Sequence, residues 1–116
     1  MMKTLLALLI ASTLPLFAQT AEGDRQYAAR GTGAHGGRAV AGPIDAAIAA
    51  YQRALAQNPN DVEAHAKLLR AYRFKGAYVV ASNEEKKAVY GVAKTAGQTA
   101  LAVVGRLLVS HGVKPD

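Results

Sequence analysis

The chain has 116 residues and a net charge of +6, and this length allows one small domain. The absence of cysteine excludes disulfides and a lipid anchor on an N-terminal cysteine, so stability has to come from packing alone. The basic balance favours acidic partners or anionic membrane surfaces.

Residues 1–18 have the three parts of a secretory signal peptide: Lys3, an apolar run, and small residues at the end. We expect cleavage after Ala18, with Ala21 as the alternative. The apolar run is shorter than the roughly 20 residues that a spanning helix needs, which argues against a permanent anchor. The sequence therefore predicts an exported protein, periplasmic or secreted, for which nucleic acid is not an expected partner.

Residues 19–42 are predicted to form a short helix within residues 22–30 and then a flexible, glycine-rich segment. Five glycines lie among residues 31–42, and each loses extra backbone entropy when it is ordered. The stretch from Gly31 to Gly36 matches GxGxxG, the pattern of a dinucleotide-binding loop. However, no β-strand pattern precedes it and no helix opens at its third glycine, so a linker is the favoured interpretation.

Two amphipathic helices joined by a tight turn are predicted between residues 44 and 78. Their apolar positions recur at steps of three and four and form one stripe on each helix. These positions are Ile44, Ala47, Ile48, Tyr51 and Leu55 on the first helix, and Ala64, Leu68, Ala71 and Tyr72 on the second. Pro59 ends the first helix at the residue before it, and Asn60 or Asp61 can cap the second. Gly76 is expected to end the second helix in the left-handed conformation.

This hairpin resembles the tetratricopeptide (TPR) repeat, whose spacing pattern is Trp-x2-Leu-Gly-x2-Tyr, then Ala-x3-Phe, then Pro. The matching positions are Ala47, Tyr51, Ala54, Leu55 and Pro59 in the second helix of one repeat, and Leu68, Tyr72, Gly76 and Tyr78 in the first helix of the next. His65 stands where the family favours Trp, and Leu69 where it favours a small residue. The resemblance implies an all-α fold of antiparallel helix hairpins, as in a fragment of an α-solenoid. In the first repeat of this chain, the glycine-rich segment is expected to stand where the partner of the first hairpin helix should be.

A last helix is expected to begin at Ser82, with Glu85 completing a capping box, and to end near Gly112. Repeat arrays normally end in a helix with a polar outer face, whereas this helix is apolar on more than one face. We therefore expect residues 43–112 to be a TPR-like helical domain that belongs to a longer array, or else associates with itself or with a partner, followed by a tail at 113–116. The longer array is the favoured interpretation, because barely one and a half repeats are present. The expected interface residues are Val103, Val104, Leu107 and Leu108.

One flank of the second hairpin helix carries the expected binding residues. In repeats of this family the first helix lines a concave groove, and the resemblance places Glu63, Lys67, Arg70, Arg73 and Phe74 on that groove. Arginine pairs bind carboxylates and phosphates at two points, which favours an acidic protein or peptide partner. The alternative is a solvated basic face without a ligand.

Catalytic and metal sites are not expected. The three histidines are scattered along the chain and no nucleophile stands at a recognisable spacing from a base, so the sequence predicts no enzyme, no metal and no cofactor.

The favoured function is non-catalytic binding of a protein or peptide. The order of segments is also similar to that of the T components, periplasmic repeat proteins that accompany TRAP-type transporters. That similarity implies the alternative of a transport accessory that binds a small or lipid-like solute. A third possibility is a basic helical protein at an anionic membrane surface.

Overall fold

The computed structural model describes residues 17–114, so most of the expected signal peptide lies outside the described residues. Within this range four α-helices follow one another: α1 (Ala18–Ala28), α2 (Ala41–Gln57), α3 (Val62–Phe74) and α4 (Asn83–Ser110). A π-helical turn, Lys75–Val79, extends α3. Each helix packs mainly on the next one in the chain, as the helices of a solenoid do. The predicted all-α hairpin fold is confirmed.

The core lies where α2 and α3 face each other, along the two predicted stripes. Its buried side chains are Ile44, Ala47, Ile48 and Tyr51 from α2, and Leu68, Ala71 and Tyr72 from α3. Polar contacts tie the same pair of helices together. Gln52 Nε2 donates to Tyr72 Oη at 2.9 Å, and Lys75 Nζ lies 2.8 Å from Asp45 Oδ1. Burial of each large apolar side chain stabilises the fold by about 1.5–3 kcal/mol, so the residues of this interface contribute substantially to stability.

The turn between α2 and α3 is closed by side chains. Asp61 is the N-cap of α3, and its carboxylate accepts a hydrogen bond from the Ala64 backbone N–H at 3.0 Å. His65 is only 7% exposed, and its Nε2–H donates to the Pro59 carbonyl at 2.8 Å. His65 therefore fills the position that the TPR family gives to Trp and also satisfies a carbonyl of the turn.

Helix α1 is the partner of α2 that was expected to be missing. The prediction that the glycine-rich segment replaces this partner is wrong, because the partner helix lies before that segment. Gly23 lets the two helices approach closely: a Cβ atom at this position would lie 2.4 Å from the Tyr51 ring. At the start of α1, Gln19 Oε1 accepts a hydrogen bond from Arg53 Nε at 2.9 Å.

The glycine-rich segment between α1 and α2 folds into hydrogen-bonded turns. His35 and Arg38 exchange backbone hydrogen bonds of 2.8 and 3.0 Å, and the Ala39 N–H donates to the Tyr78 carbonyl at 2.9 Å. Gly36 and Gly37 have φ angles of 58° and 78°, a left-handed region that favours glycine. These bonds hold the segment against the end of α3.

Gly76 does not end α3 in the left-handed conformation, so this part of the prediction is wrong. The chain continues through Gly76 into the π-helical turn, and Gly76 is not among the glycines with positive φ. Its missing side chain serves packing instead. A Cβ atom on Gly76 would lie 2.5 Å from the Tyr90 ring, so glycine admits α4 at this point.

Helix α4 begins and ends as predicted. Ser82 Oγ accepts a hydrogen bond from the Glu85 N–H at 3.1 Å. At the other end, the Val113 N–H bonds to the Leu108 carbonyl at 2.9 Å, while Gly112 has a φ of 85°, which is the Schellman arrangement. Although α4 is the longest helix, none of the helices within residues 17–114 is long and apolar enough to cross a bilayer.

Candidate partner-binding site

A cavity of about 370 Å³ opens where α1 and α3 end side by side. It is lined by Tyr27, Arg70, Arg73, Phe74, Ala77 and Tyr78. We call it the arginine cavity. Three of its members come from α3, one from the end of α1 and two from the π-helical turn, so only the folded chain assembles it.

Aromatic rings form one wall of the arginine cavity. The Phe74 ring lies edge-on to Tyr27 with 6.3 Å between the ring centroids, and 5.0 Å from Tyr78. Phe74 is half-buried whereas Tyr78 is 53% exposed. The wall therefore combines a fixed inner ring with an outer ring that solvent, or a ligand, can reach.

Guanidinium groups cover the aromatic wall. The Arg70 Cζ atom lies 3.7 Å from the Tyr27 centroid, and Arg30 lies 4.1 Å from the same centroid and 5.5 Å from that of Phe74. Arg30 is further fixed by a 2.9 Å hydrogen bond from its Nη1 to the Tyr27 carbonyl. Stacking of this kind uses the face of a guanidinium and leaves donors at its edge for a carboxylate.

The arginines of the cavity form no salt bridge within the described residues. Within residues 17–114, no carboxylate lies within ion-pair distance of Arg30, Arg70 or Arg73. Asp24 lies close enough to Arg70 for the positive charge of Arg70 to help lower the pKa of Asp24, but its two carboxylate oxygens are bonded to Tyr51 and Lys67. The arginine cavity is therefore a concentration of positive charge beside exposed aromatic surface.

Asp24 organises a polar network next to the cavity. Its two carboxylate oxygens accept hydrogen bonds from Tyr51 Oη at 2.7 Å and from Lys67 Nζ at 2.9 Å. Lys67 also lies 2.9 Å from Glu63 Oε1. This network joins α1 to both α2 and α3, and thereby fixes where Tyr27, one turn further along α1, meets Arg70.

The network shifts the pKa values of its members. Partial burial tends to raise the pKa of Asp24, but the hydrogen bonds from Lys67 and Tyr51 outweigh it, and the pKa ends below its usual value. Burial, reinforced by the negative charge of Asp24, raises the pKa of Tyr51 to about 12. The hydrogen bonds to Asp24 and Glu63 raise the pKa of Lys67. At neutral pH Asp24 is thus a carboxylate, Lys67 an ammonium and Tyr51 a neutral phenol.

The predicted groove residues divide into two sets. Arg70, Arg73 and Phe74 line the arginine cavity, whereas Lys67 and Glu63 form the ion pair outside it. The sequence did not point to three residues that complete the site: Tyr27, Arg30 and Tyr78. The spacing of Tyr27 and Arg30, three residues apart near the end of a short helix, was the sequence feature that could have indicated them, because it places the two side chains on one face.

The predicted interface on α4 also divides. Val103 is 2% exposed and is covered by the chain itself, so it cannot form a surface for a second copy. Val104 and Leu107 are half-buried, and Leu108 is exposed. The most exposed large apolar side chain of α4 is Leu101, at 74%, which the prediction did not include.

The part of the chain that the structure describes contains no cluster of three or more His, Asp or Glu side chains arranged to hold a metal ion.

Residues 41–73 match the model of a family described as TPR repeat. The hairpin of α2 and α3 is similar to a TPR repeat. The match begins with α2 and ends one residue before α3 does, so it joins the two helices that share the core. No curated protein and no solved structure shows significant similarity to this chain. TPR repeats generally form non-catalytic modules that bind other proteins, which agrees with a site made of arginines and aromatic rings.

Proposed function

We propose that this chain is an exported, non-catalytic TPR-like module that binds an acidic segment of a partner protein in the arginine cavity. The observation that carries the proposal is that Arg70 and Arg73 line the cavity beside the aromatic wall, while neither arginine forms a salt bridge within residues 17–114. The net charge, +6 for the full chain and +5 (13 basic minus 8 acidic residues) once residues 1–18 with Lys3 are removed, attracts such a partner from a distance.

The physical chemistry of the cavity suits a carboxylate attached to a carbon chain. A guanidinium binds a carboxylate through two parallel hydrogen bonds, and a ring beneath it adds about 0.5–1 kcal/mol of cation–π energy at an exposed site. The volume of about 370 Å³ lies at the lower end of the usual range for ligand pockets. A short stretch of peptide, rather than a folded surface, fits these dimensions.

The Asp24 network supports the same role by preorganising the cavity. It holds α1 against α3, so Arg70 and Tyr27 are in contact before a ligand arrives. Fixing side chains before binding lowers the entropy that binding has to overcome. Lys67 and Glu63 are thus positioning residues in this proposal, not ligand contacts.

Removal of the two cavity arginines tests the proposal directly. Binding of a fluorescent glutamate-rich peptide to the full chain is measured by anisotropy at low salt, for the native protein and for Arg70→Gln with Arg73→Gln. We expect the double variant to bind at least about tenfold more weakly, since each lost charge-assisted bond contributes about 1.5–3 kcal/mol.

The matched control is Lys94→Gln with Arg106→Gln, which removes the same charge from exposed positions on α4. This control should bind the peptide nearly as tightly as the native protein. Equal losses in both double variants would mean that the peptide senses only net charge, and the cavity would not be the site.

Export is the second part of the proposal, and α1 favours the earlier cleavage position. Cleavage after Ala18 retains Gln19 and its hydrogen bond with Arg53, whereas cleavage after Ala21 removes the first turn of α1. N-terminal sequencing of the protein secreted by its host should therefore begin at Gln19. An intact N-terminus on protein that remains in the cytoplasm would contradict the export proposal.

The transport accessory is a second candidate, and one feature favours it: an apolar cavity of about 240 Å³ on the side of the molecule where α4 packs. It is lined by Leu55, Pro59, His65, Leu68, Ala96 and Thr99. This volume is below the usual range for small-molecule sites, which makes a lipid-like solute a poorer fit than a peptide in the arginine cavity. Native mass spectrometry of the exported protein distinguishes the two, because a solute carrier retains a bound small molecule.

A further inference from the structure

A second cavity, of about 230 Å³, adjoins the arginine cavity. It is lined by Gly31, Ala34, Gly37, Arg38, Ala39, Phe74 and Tyr78. We call it the glycine-loop cavity. Phe74 and Tyr78 line both cavities, so the two cavities share one pair of aromatic rings.

The glycine-loop cavity is apolar because of the side chains that surround it. Apart from Arg38, its lining consists of glycine, alanine and the two aromatic rings. Small side chains leave space beside the rings, and the hydrogen bond from Ala39 to Tyr78 holds the loop at this distance from α3. Arg38 adds one more positive charge at the rim. No residue of the Asp24 network lines the glycine-loop cavity.

We propose that the glycine-loop cavity receives one bulky apolar side chain of the same acidic segment, within two positions of the acidic residue that Arg70 and Arg73 bind. This inference rests on the proposed function, and it adds a sequence preference to it. An extended peptide advances about 3.3–3.6 Å per residue, so one or two residues suffice to cross a single pair of rings. The volume is too small for a drug-sized ligand and suits one side chain. The complementary partner is thus a peptide in which an acidic and a large apolar residue are close neighbours.

Three peptides test this preference by anisotropy on the full chain. The first contains Glu-Ser-Phe-Glu, the second has Ser in place of Phe, and the third keeps Phe but moves it six residues from the nearest Glu. We expect the first peptide to bind about tenfold more tightly than the other two, because burial of a phenylalanine ring is worth at least one decade of affinity.

A variant that fills the glycine-loop cavity tests the location. Ala34→Leu extends a side chain that lines the cavity, and Ala102→Leu makes the same chemical change at an exposed position of α4. Ala34→Leu should bind all three peptides with the affinity of the serine peptide, whereas Ala102→Leu should keep the tenfold preference. Gly31→Met is the second filling variant, since its φ is not positive and a Cβ there meets nothing within 4 Å. Circular dichroism confirms that each variant is folded.

The outcomes separate the two proposals. If the native protein binds the first two peptides equally, the glycine-loop cavity is not a subsite, while binding in the arginine cavity stands. If Ala34→Leu and Gly31→Met both keep the preference, the apolar residue binds elsewhere and the inference is wrong. If none of the three peptides binds, the proposed function itself fails. The comparison of the three peptides on the native protein tests the sequence preference even where a variant does not fold.

Discussion

The first three helices and the last helix of this chain are packed very differently. Around α2 the side chains interlock: Ile44, Ala47, Ala50 and Tyr51 have no exposed surface, and Gly23 brings α1 against the Tyr51 ring. Helix α4 has 28 residues, of which only Val103 is buried. The length of a helix therefore says little about its contribution to the core here, which depends on how many neighbours the helix has.

The difference follows from the solenoid plan, in which each helix depends on both its neighbours. Helix α2 is covered by α1 on one side and by α3 on the other, whereas α4 packs on α3 and leaves Leu101 and Val109 exposed. Because the side chains of α4 have fewer neighbours than those of α2, we expect the free energy of unfolding to fall sharply when the first three helices are perturbed and to change little when α4 is perturbed.

The largest expected effect is that of Tyr51→Ala. The substitution opens a cavity at a fully buried site and removes a donor from Asp24, so it should lower the free energy of unfolding by about 3–5 kcal/mol. Leu101→Ala, at a position that is 74% exposed, should change it by less than about 0.5 kcal/mol. Urea unfolding followed by circular dichroism measures both. Similar losses for the two variants would break the comparison.

A second test adds one methyl group rather than removing a ring. Gly23→Ala places a Cβ atom 2.4 Å from the Tyr51 ring, so α1 or the ring has to move, and the variant should be destabilised by about 1–3 kcal/mol. The same denaturation experiment measures the loss. Unchanged or increased stability would show that α1 does not pack on α2 as closely as described.

The packed region is also the one that its sequence predicts best. The stripe from Ile44 to Tyr51 steps by three and four, Pro59 marks a boundary, and Asp61 caps α3, so local chemistry alone locates this hairpin. The TPR-like spacing adds the resemblance to a TPR repeat, which the family match over residues 41–73 supports. Pairing of the two helices buries both stripes against each other.

The features that the sequence did not reveal depend on contacts between distant segments. Helix α1 has a weak apolar stripe and begins where the expected signal peptide ends, so its role as a partner of α2 was hidden. Gly76 has the composition signal of a helix end, yet it serves the approach of Tyr90. In the candidate site, the positions of Arg70 and Arg73 on one flank of α3 could be predicted from helical spacing. Tyr27 joins them only through tertiary packing, at a separation that no local pattern encodes.

Acid should weaken the link between α1 and α3. The pKa of the Asp24 carboxylate is lower in the folded chain than in the unfolded chain. Its contribution to the free energy of unfolding is therefore fully present above the usual pKa, near 4, and is lost as the pH falls through the lower pKa of the folded state. We expect Asp24→Asn to be less stable than the native protein by about 1 kcal/mol at pH 7, a modest effect because the Asp24 side chain is 44% exposed.

The difference between Asp24→Asn and the native protein should stay constant between pH 7 and 5 and shrink below pH 4. Denaturation curves at these pH values give the comparison. Glu84→Gln, in the solvated first turn of α4, is the control. A difference that persists to the lowest pH would mean that the hydrogen bonds of Asp24 do not depend on its charge.

The substitution with the smallest expected effect tests whether α4 stays exposed in solution, as it is in the isolated chain. A Cβ atom at Gly105 would meet nothing within 4 Å, and alanine is the better helix former, so Gly105→Ala should raise the free energy of unfolding by about 0.5–1 kcal/mol. The sign is opposite to that expected for Gly23→Ala, although the chemical change is the same. If Gly105→Ala instead destabilises the protein, and more so at high protein concentration, another copy must approach α4 closely at this glycine. Sedimentation measurements on the native chain would then show association, and the loose region of the monomer would be an interface in the assembly.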